Sequence, residues 1–120
     1  MIITTPSDLE PHIFSLQPGD RVFLLGPLGA GKSTFARLLI QNILGHDTIV
    51  SSPTYTYYQS YSQNIYHFDL YRANHLDDIL RIGAEDIFAD TTSICLIEWP
   101  EILGESLVPT HRIQFGIIPE

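Results

Sequence analysis

The sequence predicts an α/β domain, a mixed and mainly parallel sheet covered on both faces by helices, and three observations carry that prediction. Two runs, Val22-Phe23-Leu24-Leu25 and Ile94-Cys95-Leu96-Ile97, are continuously apolar over the length of a strand, as strands buried on both faces are. Around them lie stretches with helical spacing: Phe35, Leu38, Leu39 and Ile43 in one, Leu76, Ile79 and Leu80 in another. From Ile49 to Asp69 the pattern turns β-like with polar edges, which adds one antiparallel hairpin.

Taken in order, the chain begins with a short apolar pair, Ile2 and Ile3. Ser7-Asp8-Leu9-Glu10 then reads as a capping box, with Pro11 in the first turn where proline is tolerated, and predicts a helix that runs to Gln17. Pro18-Gly19-Asp20 is a turn into the central strand at 22–25. A glycine-rich loop leads into the first amphipathic helix, which Gly45 closes as a C-terminal cap. Tyr55, Tyr57 and Tyr58 form one arm of the hairpin and Ile65-Tyr66-His67-Phe68 the other, with Ser62-Gln63-Asn64 as the turn. Short helices are predicted over His75–Ile82, ending at Gly83, and over Ala84–Ala89. Trp99-Pro100 stops the second buried strand, and Ile113, Phe115 and Ile117 alternate with Gln114 and Gly116 in a last strand over Arg112–Ile118.

At 120 residues and 13.5 kDa the chain fits a single domain over 1–120, and 44% hydrophobic residues suffice for a packed core. Six Lys+Arg against 14 Asp+Glu give a net charge of -8, the opposite of the basic footprint that grips nucleic acid by its phosphates. Direct, tight RNA or DNA binding is therefore disfavoured. No apolar run approaches the length that spans a bilayer, and the N-terminus has neither the basic start nor the apolar stretch of a secretory signal. With Cys95 as the lone cysteine, among apolar neighbours, the expectation is a cytoplasmic protein.

Residues 26 to 33, Gly26-Pro27-Leu28-Gly29-Ala30-Gly31-Lys32-Ser33, match G-x-x-x-x-G-K-[ST] in full, between a buried strand and an amphipathic helix. Glycines let the backbone turn its N–H groups inward, and the helix adds free N–H groups and the positive end of its dipole at the same place. Phosphates bind such a loop. Lys32 is placed to reach the terminal phosphates and the Ser33 hydroxyl to ligate a bridging Mg2+. An accidental match has odds of roughly 4 in 100,000 per start, or below about 1% for a chain of this length. The chain's single lysine is Lys32, which leaves none for the Asn-Lys-x-Asp loop that usually reads guanine and makes GTP the less expected nucleotide.

A magnesium site in such a fold needs an acid at the end of a neighbouring strand. Two candidates occupy that place, Asp69 after Ile65-Tyr66-His67-Phe68 and Glu98 after Ile94-Cys95-Leu96-Ile97. An isolated aspartate after a strand is as readily a turn or cap residue. Glutamate directly after four buried apolar residues is harder to explain without a ligand or strong hydrogen bonds. His67, inside a strand, reads as a structural histidine, and five scattered histidines without a His/Cys cluster argue against zinc.

Four strings now come together: Leu28-Gly29-Ala30-Gly31-Lys32-Ser33-Thr34-Phe35, Ser52-Pro53-Thr54-Tyr55-Thr56, His67-Phe68-Asp69-Leu70-Tyr71-Arg72 and Leu96-Ile97-Glu98-Trp99-Pro100-Glu101. In order and spacing they resemble the bacterial TsaE (YjeE) family, over most of the chain from Gly19 to Glu101. The resemblance implies a P-loop NTPase-like three-layer fold and an ATPase of the tRNA threonylcarbamoyladenosine pathway, with ATP and Mg2+ as its ligands. It further implies action on the TsaB–TsaD pair, with tRNA met only through that complex and with no membrane or DNA partner. Carried over by position, Gly29, Ala30, Gly31, Lys32, Ser33 and Thr34 would hold the phosphates, and Ser33 with Glu98 the magnesium. Thr54 would belong to a switch-like loop near the γ-phosphate, Asp69 would lie close to the attacking water or the metal's outer shell, and Trp99 and Glu101 would lie beside the nucleotide. Tyr57 and Pro27 depart from the residues common in the family at those places. The competing reading is a small-molecule kinase of the P-loop class, which needs a lid of arginines and an acceptor pocket that six basic residues scarcely supply.

Overall fold

The computed structural model describes the backbone of residues 2–3 and residues 13–50 and 56–116 in full. Ten elements follow one another: β1 (Ile2–Ile3), β2 (Arg21–Leu25), α1 (Lys32–Leu44), β3 (Tyr58–Tyr61), β4 (Ile65–Asp69), α2 (Leu76–Leu80), α3 (Ala84–Ala89), β5 (Ile94–Glu98), a short 3-10 helix (Pro100–Leu103) and β6 (His111–Phe115). The strands form one six-stranded sheet in the order β1-β6-β2-β5-β4-β3. Every neighbouring pair is parallel except β3 with β4, the hairpin. This is the mixed, mainly parallel sheet that the sequence predicts.

The period of two along each strand sorts the core into two layers. Val22 and Leu24 of β2, Ile65 of β4, Leu96 of β5 and Ile113 and Phe115 of β6 pack on one face against Phe35, Ala36, Leu39 and Ile40 of α1. Phe23, Phe68, Cys95 and Ile97 pack on the other against Ile79 of α2, Ala84 of α3 and Leu103 of the 3-10 helix. Three layers result, and because β2, β5 and β4 run parallel their C-terminal ends open on one edge, where α/β sheets bind ligands. Among the described residues no helix is long and apolar enough to cross a membrane.

The boundaries differ from expectation in five places. The first arm of the hairpin begins only at Tyr58, because Tyr57 takes φ +65° and turns the chain, while Tyr55 lies outside the described residues. Residues 13–17 are irregular rather than the end of a helix, and the rest of the expected helix lies outside the described residues. There the amide of Gln17 donates to Asp20 Oδ2 at 2.8 Å and the amide of Asp20 to Gln17 O at 3.0 Å, so the aspartate closes a turn with groups a helix would use internally. The helix expected over His75–Ile82 is regular only over α2, because the amides of Ile82 and Gly83 turn to carbonyls three residues back. The last strand ends at Phe115, ahead of Gly116 at φ +95°, and Ile117 and Ile118 lie outside the described residues. Finally, β1 is two residues long, too short to show any period, yet it pairs Ile2 with Gln114 and Ile3 with Phe115 at the sheet edge.

One buried cation ties the layers together. Arg21, 5% exposed, donates from Nη1 to Asp20 O and Ser93 O and from Nη2 to Phe88 O at 3.1 Å and Asp90 O at 2.8 Å. One guanidinium thus joins the carbonyl before β2 to three at the end of α3 and before β5, of which Ser93 O and Asp90 O, like Asp20 O, also accept a backbone amide. Arg21→Ala is expected to cost about 3 kcal/mol by removing four hydrogen bonds and the buried side chain that makes them. Chemical denaturation of both proteins measures the loss, and a change within about 0.5 kcal/mol, the usual range of an inconsequential surface substitution, would show the carbonyls find water instead.

Candidate functional site

The loop begins where β2 runs out. Gly26 takes φ +141°, and a Cβ there would lie 2.8 Å from Phe115 O, so the chain can leave the sheet beside β6 only as glycine. Gly31, left-handed at φ +98°, turns the chain into α1, whose first residue is Lys32. The first turn of a helix keeps amides with no intrahelical acceptor, and here they open onto a cleft. The cleft has a volume of about 330 Å³ and is lined by Leu28, Gly29, Gly31, Lys32, Ser33, Thr34, Asp69, Tyr71, Glu98 and Trp99.

Glu98 ends β5 at only 3% exposure and is held from two sides. The Ser33 hydroxyl donates to it, 2.9 Å from both carboxylate oxygens, and His67 Nε2 lies 2.6 Å from Oε2. Asp69, the last residue of β4, is the register partner of Glu98 and accepts the amide of Tyr71 on Oδ1 at 3.1 Å. Burial pushes its carboxyl above the usual aspartate range, with the Tyr71 amide acting against it and the Glu98 charge adding to it.

Lys32 is 4% exposed, its ammonium donating to Gly26 O and lying 3.5 Å from the centre of the Trp99 ring. Burial lowers its pKa, while the charges of Glu98, Glu101 and Asp69 pull it back up. Trp99 holds φ +57°, ψ +56°, an uncommon conformation for a non-glycine residue. From there its ring meets both Lys32 and Tyr71, whose ring centre lies 4.9 Å away.

The structure thus brings Gly29, Gly31, Lys32, Ser33, Thr34, Asp69, Glu98 and Trp99 to one cleft. Ala30 is not in its lining: it packs toward the core under α1, and its amide donates to Pro27 O at 3.3 Å. Glu101 is exposed on the 3-10 helix, outside the lining but near enough to act on the Lys32 charge. Thr54 lies outside the described residues. Two residues go beyond the expected set. Tyr71 lines the cleft, and His67 is not merely a core histidine but a hydrogen-bond partner of Glu98.

A hydroxyl and a carboxylate are hard oxygen donors, and two of them beside open space and a phosphate loop fit Mg2+, which keeps waters and takes phosphate oxygens for its other positions. Among the described residues no group of three or more His, Cys, Asp and Glu could hold a metal by itself. Ser33 and Glu98 could therefore hold a metal ion only together with oxygen ligands from outside the chain.

The Asp69 shift carries a stability prediction. Its folded pKa lies above its unfolded one, so stability is lost as pH rises through the unfolded value and stays lower above the folded value. Asp69→Asn keeps an acceptor for the Tyr71 amide without the charge. The ligand-free variant should melt above the parent at neutral pH, with the gap closing in acid; a variant that melts lower at neutral pH contradicts this.

Comparison with known proteins gives concordant matches. The family model described as threonylcarbamoyl adenosine biosynthesis protein TsaE matches residues 7–120. The tRNA threonylcarbamoyladenosine biosynthesis protein TsaE of Haemophilus influenzae is 47% identical over 99 residues, covering 80% of this chain and 61% of that protein. The proteins of the same name from Rickettsia bellii and Bacillus subtilis are 37% and 38% identical, covering 86% and 84% of this chain and 72% and 63% of theirs. Against relatives such as those of Haemophilus influenzae and Rickettsia felis the chain spans 61% and 56% of their length. The crystal structure of Bacillus subtilis YdiB superposes with a TM-score of 0.55 at 28% identity, covering 78% of this chain and 55% of that one.

Proposed function

The chain belongs to the TsaE family of threonylcarbamoyl adenosine biosynthesis proteins, and from that premise we propose that it is a magnesium-dependent ATPase acting in the cytoplasm on the TsaB–TsaD complex. The observation that carries the reading is the bond between Ser33, second residue of the helix behind the phosphate loop, and Glu98, the buried acid at the end of the adjacent strand. That pairing supports the reading because two hard oxygen donors beside a phosphate loop are what the Mg2+ of a nucleotide takes from a protein.

In this reading the loop amides of Gly29 and of Gly31 to Thr34 and the dipole of α1 receive the phosphates, while the Ala30 amide closes the turn on Pro27 O that shapes the loop. The Lys32 ammonium leaves Gly26 O and the Trp99 face to neutralise the terminal phosphates. Ser33 and Glu98 would hold Mg2+, which when bound would supply positive charge to the terminal phosphates. Asp69, at the end of the strand beside Glu98, accepts a hydrogen bond from the attacking water and fixes its direction. Trp99 and Tyr71 form the apolar rim of the cleft, and Thr54 would act near the γ-phosphate, as the family resemblance implies. With a net charge of -8 the chain meets tRNA only through its partners.

Incubating the chain with ATP, first alone and then with TsaB–TsaD and tRNA, tests the proposal. The expected result is slow hydrolysis alone and faster hydrolysis with the complex. Phosphoryl transfer to a small acceptor in place of hydrolysis would overturn it in favour of a kinase, and so would a rate unmoved by the complex.

A further inference from the structure

We propose that His67 is a positioning residue for the metal site: it fixes the Glu98 carboxylate so that one oxygen stays aimed at the Ser33 side of the cleft. The proposal rests on the magnesium reading above. Three observations carry it.

The first is register. β4 and β5 pair in parallel with His67 opposite Leu96 and Asp69 opposite Glu98, so His67, Asp69 and Glu98 share the face that α1 covers. His67 is therefore diagonal to Glu98, one step deeper in the sheet, and reaches it from below.

The second is donor arithmetic. A carboxylate accepts only, so His67 Nε2 carries the proton of the 2.6 Å bond to Oε2. Ser33 has one proton, shared between two oxygens at equal distances of 2.9 Å, and it fixes neither. The asymmetry comes from His67 alone: it engages Oε2, so Oε1, which accepts only the shared Ser33 hydroxyl, is the less occupied oxygen. Once the Ser33 oxygen is turned to a cation, His67 remains the donor holding the acid from the protein side.

The third is cost. His67 is 1% exposed, and its Nδ1 has no hydrogen-bond partner, the only buried side-chain nitrogen or oxygen so placed among the described residues. A leucine at this position of β4 would bury the same volume with no orphaned atom. Packing alone does not explain an imidazole there; the bond made by its other nitrogen does. Groups that orient metal ligands from behind act in this way on affinity without touching the metal.

The test is a titration of magnesium into the chain with ATP present, followed by calorimetry, alongside ATP affinity in EDTA, for the parent, His67→Leu and His67→Gln. Magnesium affinity should fall about 10–100-fold in His67→Leu, while metal-free ATP affinity stays within a few-fold. His67→Gln, whose side-chain amide can place an N–H where Nε2 stood, should recover most of the loss. Should His67→Leu not fold, His67→Asn, too short to reach Glu98 from the same backbone position, takes its place with the same expected loss. Folded variants with the parent's magnesium affinity would overturn the proposal, as would an equal loss in the leucine and glutamine proteins, which would mark a packing role. A parent with no magnesium-dependent ATP binding would instead overturn the functional reading and this proposal together, an outcome distinct from the other two.

Discussion

Lys32→Ala is expected to abolish ATP hydrolysis, a loss of about 100-fold to 1,000-fold or more, while the protein stays folded. The size follows from the role proposed for the ammonium, a charged donor at the cleft that neutralises phosphate charge as it shifts in the transition state. No other lysine exists in the chain to substitute for it. The fold survives because the buried ammonium contributes little net stability. Burial disfavours its charged form, which lowers its pKa, and the contacts with Gly26 O and the Trp99 ring offset that cost rather than exceed it. Hydrolysis assays together with a thermal melt check both halves. Undiminished turnover in a folded variant would remove the phosphate loop from the account.

Glu98→Gln should have the second largest effect, and on a different quantity. The substitution keeps size and one acceptor oxygen but removes the charge and presents an amide to Ser33 and His67, both of which donate to the carboxylate. Magnesium-dependent ATP affinity should drop about 10–100-fold and turnover with it. Asp69→Asn makes the contrast: ATP with magnesium should bind within a few-fold of the parent while hydrolysis is lost, because orienting water matters in the transition state and not in the ground state. Titrations of both variants with and without magnesium, beside hydrolysis rates, separate the two roles. If Asp69→Asn loses the magnesium dependence and Glu98→Gln keeps it, Asp69 is the metal-binding acid.

What could be read from the sequence was what the chain encodes locally. The phosphate loop is contiguous because the chemistry needs consecutive amides, so Gly26 to Ser33 declared itself. The buried strands declared themselves because Val22 to Leu25 and Ile94 to Ile97 are apolar on both faces, and a glutamate next to the second run stood out against that background. His67 did not, because its role depends on a partner 31 residues away and on a parallel register that no local pattern reveals. Tyr71 was visible only as part of a string; its place in the cleft comes from the turn after β4, held by the Asp69 carboxylate. The expected helix before Gln17 failed over residues 13–17 because a capping pattern promises a start, whereas the side chain of Asp20 decides how that segment ends. The family resemblance implies a phosphate contact for Ala30 by its position in the loop, but not the turn its amide closes on Pro27 O, which depends on the path of the folded loop.

The central claim is that Ser33 and Glu98 make this cleft a site for a magnesium-bound nucleotide. Calorimetric titration of the chain with ATP, once in EDTA and once in excess magnesium, tests it most directly. The account predicts saturable binding at one site that tightens when magnesium is present. Saturable binding of equal strength in both conditions, or no saturable binding in either, would contradict it.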